Sequence, residues 1–158
     1  MPLITPASSI ATIAQGPELP WGGDKELAAE YAEDPKAFLL ERCKLAMDNS
    51  EYTRDWVVCA TYYLPDFIIM PNGKPWYRSE KSHDEALWQG KVGLIIGMGP
   101  LAFKDEGALK FGGQKFEVGD WVQWDIHDAR QFTINRVHCR YLKDVQIIAR
   151  VKDPGMVY

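Results

Sequence analysis

Residues 91–99 read KVGLIIGMG, and residues 114–126 read QKFEVGDWVQWDI. The first stretch is aliphatic and β-branched and is closed by Gly99-Pro100, which is typical of a strand that ends at a turn. The second alternates bulky and polar side chains on either side of Gly119-Asp120, as strands with two different faces do. These two stretches predict β-structure in the region around them.

Further strand patterns flank these two stretches. They are WVVCATYYL at 56–64, QFTI at 131–134, VHCRYL at 137–142 and DVQIIARV at 144–151. Strands at intervals of roughly 8–12 residues, without helical patterns between them, predict a small antiparallel barrel or sandwich. We therefore predict a mainly β chain, with a β domain at residues 54–152 and a short tail at 153–158.

The N-terminal third has a different composition. Residues 1–23 contain four prolines and a Gly-Gly pair, which predicts an extended arm. Residues 24–50 predict helices, because Asp24 is a suitable N-cap and Asp34-Pro35 supplies a cap and an N1 proline. The arm is either a disordered tail or a segment that becomes ordered against a partner. In the second case its contacts would be made by Leu3, Ile4, Ile10, Ile13, Leu19 and Trp21.

Composition excludes several classes of protein. The chain is 46% hydrophobic and 25% charged with a net charge of -4, which is typical of a globular protein and disfavours non-specific binding to nucleic acid. No apolar run approaches the roughly 18–20 residues that span a membrane, and the N-terminus does not resemble a signal peptide. Three widely spaced cysteines predict reduced thiols. We expect an intracellular protein.

No set of residues predicts catalysis. Asp125 and His127 lie at i and i+2 of a predicted strand, so they point to one face and could supply two metal ligands. A third ligand would have to be His83 or His138, and His138 is followed by Cys139 on the opposite face of its strand. We interpret Asp125 and His127 as a polar strand end. The expectation is no metal, no cofactor and no enzymatic activity.

Residues 130–152 carry a local surplus of basic side chains that could contact phosphate. The acidic helical segment is an equally good counterpart for them, within one chain or between subunits. Trp121, Trp124 and Phe132 could stack on bases, although large aromatic residues of alternating strands are more often buried in a core. We do not expect nucleic-acid binding.

The first and last predicted strands are both apolar. An exposed apolar edge strand pairs readily with a second chain. We therefore predict a homo-oligomer in which the subunit interface is formed by Val57, Val58 and Ala60 of the first strand and by Val145, Ile147 and Ile148 of the last.

Residues 66–78, DFIIMPNGKPWYR, place four apolar residues beside a Pro-Asn-Gly turn. Phe67, Ile68, Ile69 and Met70 form either a short core strand or a hydrophobic hook offered to another molecule. The residues themselves leave both alternatives open.

Five segments occur in an order that is similar to a known family. They are RDWVV at 54–58, IIMP at 68–71, QGKVGLIIGMGP at 89–100, VGDWV at 118–122 and DVQIIA at 144–149. Over roughly residues 54–152 this set resembles the GroES (chaperonin-10) family. GPLAFKD at 99–105, followed by GDWV, resembles the GroES-like proteins encoded by tailed bacteriophages. The helical N-terminal third is absent from ordinary co-chaperonins.

The resemblance implies a small antiparallel GroES-like β-barrel that forms a ring through its first and last strands. It also implies that Ile68-Ile69-Met70 inserts into an apolar groove of a GroEL-type chaperonin. The family has a flexible stretch before this tripeptide, whereas this chain has Leu64-Pro65-Asp66-Phe67, which is shorter and stiffer.

Two functions follow from these observations. The one we favour is a non-enzymatic, oligomeric phage structural protein that decorates or cements the capsid and contacts the major capsid protein or another virion protein. The alternative is a phage-encoded co-chaperonin that caps a GroEL-type chaperonin to fold phage capsid protein. The expected location is the virion in the first case and the host cytoplasm in the second.

Overall fold

A computed structural model describes residues 20–21, 24–63, 91–105 and 110–157, together with the backbone of residues 67–69 and 75–77. The helices are α1 (Lys25–Glu33) and α2 (Pro35–Asp48). The strands are β1 (Trp56–Thr61), β2 (Phe67–Ile69), β3 (Pro75–Tyr77), β4 (Val92–Met98), β5 (Trp121–Trp124), β6 (Arg130–Ile134), β7 (Val137–Lys143) and β8 (Ile147–Val151). The described chain is mainly β, as predicted.

Both helices begin at the caps that the sequence predicts. The Asp24 carboxylate accepts a hydrogen bond from the Glu26 N–H at 2.9 Å at the start of α1. The Asp34 carboxylate accepts one from the Ala37 N–H at 3.1 Å, and Pro35 occupies the first turn of α2. These bonds satisfy N–H groups that have no partner inside the helix.

Six strands form one antiparallel sheet in the order β6-β7-β1-β4-β5-β8, and β2 and β3 form a separate two-stranded sheet. The β6–β7 hairpin turns at Asn135 and Arg136, whose φ angles are 46° and 69°. Positive φ at both central residues is the conformation of the two-residue turn that matches the twist of an antiparallel hairpin.

The first strand does not lie at an edge of this sheet. β1 pairs with β7 on one side and with β4 on the other. Val57, Val58 and Ala60 are completely buried within a single copy of the chain. The prediction that these three residues form a subunit interface is therefore wrong. The uninterrupted apolar run of β1 is that of a strand buried on both faces, and it does not signify an exposed edge.

Successive residues of β1 enter two different core clusters. Val58 and Ala60 face the helices and share the first cluster with Leu39 and Cys43 of α2. Val57 and Cys59 face the other side of the sheet. The second cluster lies there and comprises Val57, Cys59, Ile95, Ala102, Phe103, Val122, Trp124, Ala129 and Leu142. The helices therefore pack on one face of the sheet, and its central strands β1 and β4 are largely buried on both faces.

Candidate functional site

The last strand, β8, lies at one end of the six-stranded sheet. It pairs with β5, where Val122 is opposite Arg150 and Gln123 is opposite Ala149, and no described strand pairs with its other side. Alternate residues of an edge strand direct N–H and C=O groups away from the sheet, where another extended chain can pair with them. β8 is therefore a candidate surface for contact with a second protein strand.

Two large apolar side chains are exposed at this edge. Val145 has 57% of its surface exposed and Ile148 has 65%. Ile147 is half-buried and packs against the second core cluster. The structure places these three residues, predicted at the subunit interface, together on β8 and the turn before it. Exposed aliphatic side chains beside unpaired backbone groups are a common feature of protein-binding surfaces.

A single 3₁₀ turn at Asp144–Gln146 leads into β8 and projects Val145 outward. The Gln146 side-chain oxygen accepts a hydrogen bond from the Lys143 N–H at 2.7 Å. The buried carboxylate of Asp144 accepts one from the Phe103 N–H at 3.0 Å. This turn is therefore held to its own strand and to the loop at Phe103, and the start of the β8 edge is fixed by hydrogen bonds.

A groove of about 840 Å³ lies beside β8 and is lined by every residue of that strand. Four aromatic side chains, those of Phe103, Phe111, Phe116 and Trp121, contribute to its lining. The centre of the Phe103 ring is 4.5 Å from that of Phe116 and 5.4 Å from that of Phe111. The groove thus combines a strand edge that pairs with no other described strand and a packed aromatic surface.

Arg150 connects β8 to residues 115–120, the segment that precedes β5. Its Nη1 donates to the Lys115 carbonyl at 2.6 Å and lies 3.7 Å from the Asp120 carboxylate. Its guanidinium carbon is 5.3 Å from the centre of the Phe116 ring, within the range of a cation–π contact. These three contacts hold the Arg150 side chain in one position at the groove.

Basic side chains outnumber acidic ones around the groove. The charged lining residues are Lys36, Lys110, Arg150, Lys152, Asp120 and Asp144. Both carboxylates already have partners: the Asp120 carboxylate lies near the Arg150 guanidinium, and the Asp144 carboxylate accepts a hydrogen bond from the Phe103 N–H. Within the described ranges, none of the three lysines has a carboxylate at ion-pair distance. The groove is therefore a positively charged surface on a chain whose net charge is -4.

Phe67, Ile68 and Ile69 form strand β2, which pairs with β3 so that Ile68 is opposite Trp76. This hairpin is separate from the six-stranded sheet. Met70, the fourth residue of the predicted contact, lies outside the described residues. The apolar run therefore has the backbone of a strand in a hairpin of its own.

Trp21, predicted as a partner contact of the arm, is part of the chain's own core. It is 3% exposed, and its ring centre lies 4.9 Å from that of Tyr31 and 5.9 Å from that of Tyr63. The carbonyl of Pro20 accepts a hydrogen bond from Arg42 at 2.8 Å. The prediction is wrong for Trp21, because two buried tyrosines already surround its ring. The other predicted arm residues lie outside the described residues: Leu3, Ile4, Ile10, Ile13 and Leu19.

A buried polar network around two tyrosines was not apparent in the sequence. The Tyr31 hydroxyl donates to the Tyr63 carbonyl at 2.7 Å and accepts from the Tyr63 N–H at 2.7 Å. The Tyr63 hydroxyl accepts from the His138 N–H. Burial, and then the nearby positive charge of Arg140, lowers the pKa of His138 to about 4. The network joins α1 to β7 through backbone groups, and burial keeps the nearby imidazole neutral, so both have a structural role.

Asp125 and His127 are brought together, but in a turn. The Asp125 carboxylate accepts a hydrogen bond from the His127 N–H at 2.9 Å directly after β5. In the part of the chain that the structure describes, no group of three or more His, Cys, Asp or Glu side chains could hold a metal ion.

All three cysteines are free and buried, and burial raises the pKa of the Cys59 thiol.

No protein-family model matches this chain, and no curated protein matches it either. Among the described residues, no helix has the length and apolar character needed to cross a membrane.

Proposed function

We propose that this chain is a non-enzymatic structural protein of a tailed bacteriophage, a GroES-like barrel that decorates or cements the capsid as an oligomer without a cofactor. The observation that supports the proposal is the edge of β8 with which no described strand pairs, where Val145 and Ile148 are exposed beside a groove. A protein whose task is assembly needs a surface of this kind, because strand addition supplies affinity through the backbone and specificity through alternate side chains.

The partner at this edge would be the major capsid protein or another virion protein. Pairing would satisfy the outward N–H and C=O groups of β8 and remove Ile148 from water. The first strand is buried, so contacts between copies of this chain would use other surfaces than the one predicted for Val57, Val58 and Ala60.

The test is binding of purified variants to phage particles that lack this protein, measured by co-sedimentation. Ile148→Asp places a carboxylate where the partner strand would pack, and we expect its affinity to fall at least about tenfold. Leu45→Asp is the matched control, because Leu45 is 76% exposed and lies outside the groove. Equal binding by wild type and both variants would contradict the proposal for this edge.

The second candidate is a co-chaperonin of a GroEL-type chaperonin. It is favoured by one observation, that Ile68 and Ile69 lie in a hairpin separate from the main sheet. In that case Ile69→Asp abolishes binding to the chaperonin, because a carboxylate in an apolar groove is strongly disfavoured. A pull-down of GroEL-type chaperonin with wild type and Ile69→Asp measures this. Recovery of chaperonin by neither protein removes this candidate.

A further inference from the structure

We propose that the groove beside β8 binds an acidic, extended strand of a different protein, which pairs with the side of β8 that no other described strand occupies. This rests on the proposed role of β8 as an assembly surface and specifies the chemistry of its partner. The occupant would carry an aliphatic residue beside Ile148 and acidic residues two positions away on the same face, over about five positions, the length of β8.

The backbone of β8 is long enough to pair with an extended peptide. β8 extends over Ile147–Val151, which at about 3.3 Å per residue is a strand of roughly 17 Å. All five residues line the groove, and described strands pair with only one side of β8. An extended peptide can therefore lie along the whole strand, with its own N–H and C=O groups paired to β8.

The side chains of β8 indicate what a partner strand would place beside them. Exposure alternates along it, with Ile148 and Arg150 exposed and Ile147, Ala149 and Val151 half-buried. A partner strand placed beside β8 brings one of its residues against Ile148, and an aliphatic side chain at that position shields both from water. Residues two positions away on the partner then lie beside Arg150.

The positive charge of the groove selects among possible partners. Lys36, Lys110 and Lys152 line the groove and, within the described ranges, have no carboxylate at ion-pair distance. Carboxylates on the partner supply these missing counter-ions. A second copy paired through its own β8 would instead add the same lysines to the same interface, and like charges that face each other across strands are destabilising.

The expected contribution of charge is moderate. Exposed ion pairs each contribute little, so three of them change affinity by roughly tenfold, and the effect weakens as salt is added. The backbone and Ile148 supply the larger part of the affinity. Charge is therefore the selective element, and a matched pair of peptides can isolate it.

The experiment uses the full-length protein and two labelled nine-residue peptides, measured by fluorescence anisotropy. One peptide has a central Ile, Glu two positions before and after it, and Val elsewhere, and the other has Lys in place of Glu. We expect the Glu peptide to bind at least about tenfold more tightly than the Lys peptide at low salt, with the difference decreasing as salt is raised. Equal affinities for the two peptides would overturn the proposal.

Three variants locate the site. Ile148→Asp is expected to reduce binding of the Glu peptide at least about tenfold, and a double variant, Lys110→Glu with Lys152→Glu, to remove the preference for the Glu peptide. Leu45→Asp is expected to bind as wild type. A preference that survives the double variant places the charge selection elsewhere and overturns the proposal. Displacement of the Glu peptide by a single-stranded oligonucleotide would also overturn it, because the groove would then bind nucleic acid. Dissociation of a dimer by Ile148→Asp would overturn it too, because a second copy would then occupy the edge of β8.

Particle binding separates this inference from the proposed function. If Ile148→Asp loses particle binding while the double lysine variant keeps it, the assembly role stands and the acidic strand is wrong. If the wild-type protein does not bind particles but prefers the Glu peptide through β8, the capsid role is wrong and the acidic-strand site stands.

Discussion

Replacing Trp21 with alanine tests whether the end of the arm belongs to the core. The side chain is 3% exposed and lies between Tyr31 and Tyr63, with ring centres 4.9 and 5.9 Å away. Truncation of a buried aromatic residue to alanine costs about 3–5 kcal/mol, from lost transfer free energy and the cavity left behind. For a chain of this size that corresponds to a decrease in Tm of about 6–20 °C.

The assay is urea unfolding followed by far-ultraviolet circular dichroism, which does not depend on the fluorescence of the removed ring. Leu45→Ala is the control, because a side chain that is 76% exposed should change the free energy of unfolding by less than about 0.5 kcal/mol. A decrease in the free energy of unfolding below about 1 kcal/mol for Trp21→Ala would refute the packing argument, since truncation of a buried aromatic residue typically costs about 3–5 kcal/mol.

The same reasoning decides how the arm is truncated. Deletion of residues 1–23 would remove Trp21 and the Pro20 carbonyl that Arg42 contacts, so it would destabilise the domain as well as remove the arm. Deletion of residues 1–19 leaves both in place. We expect that shorter deletion to preserve the free energy of unfolding within about 0.5 kcal/mol and to weaken particle binding, as proposed for an arm that contacts the capsid.

Three further predictions concern the interior and the assembly state. Gly93→Ala is expected to destabilise the domain by about 1–3 kcal/mol in thermal unfolding, because a Cβ there would overlap the Ala60 carbonyl and the Trp124 ring; unchanged stability would contradict this close approach. The pKa of His138 is lowered to about 4 in the folded state, below its usual value of about 6.5, so the unfolded state binds the proton first. The free energy of unfolding should therefore fall by up to roughly 3 kcal/mol as pH decreases from 6.5 to 4, and the pH profile of His138→Asn should be flatter; parallel profiles would argue against a buried neutral imidazole. Native mass spectrometry of the purified protein is expected to show an oligomer. Ile148→Asp should leave it intact if β8 binds a different protein, as proposed, and not the second copy that the sequence predicts. A monomer at micromolar concentration would contradict the predicted association.

Local features of this chain could be predicted because they depend on neighbouring residues. Asp24 and Asp34 cap the two helices through hydrogen bonds to N–H groups two or three positions away. The alternating and β-branched patterns correctly predict a mainly β chain for the same reason, since each strand's character is contained in its own residues.

The order of strands could not be predicted, because it depends on pairing between distant segments. The apolar pattern of WVVCAT near the start of the β region predicts an edge strand, yet β7 and β4 enclose it on both sides. Its unbroken apolar run was the available signal, since strands buried on both faces lack alternation. Trp21 was misassigned for a related reason. A tryptophan in a proline-rich segment gives no local indication that Tyr31 and Tyr63 surround it.

The groove was also beyond sequence reasoning. Its cations come from α2, from the segment before β5 and from the end of β8, so Lys36 and Lys152 are 116 positions apart in the chain. Val145 and Ile148 were singled out as apolar residues of the last strand. Their position beside this charged surface follows only from the folded arrangement.

The most direct test of the capsid role is quantitative mass spectrometry of purified particles of the source phage, with the copy number of this chain measured against the major capsid protein. We expect many copies per particle, in a fixed ratio to the capsid subunit. Absence of the chain from purified particles, together with its abundance in infected cells, would contradict this expectation.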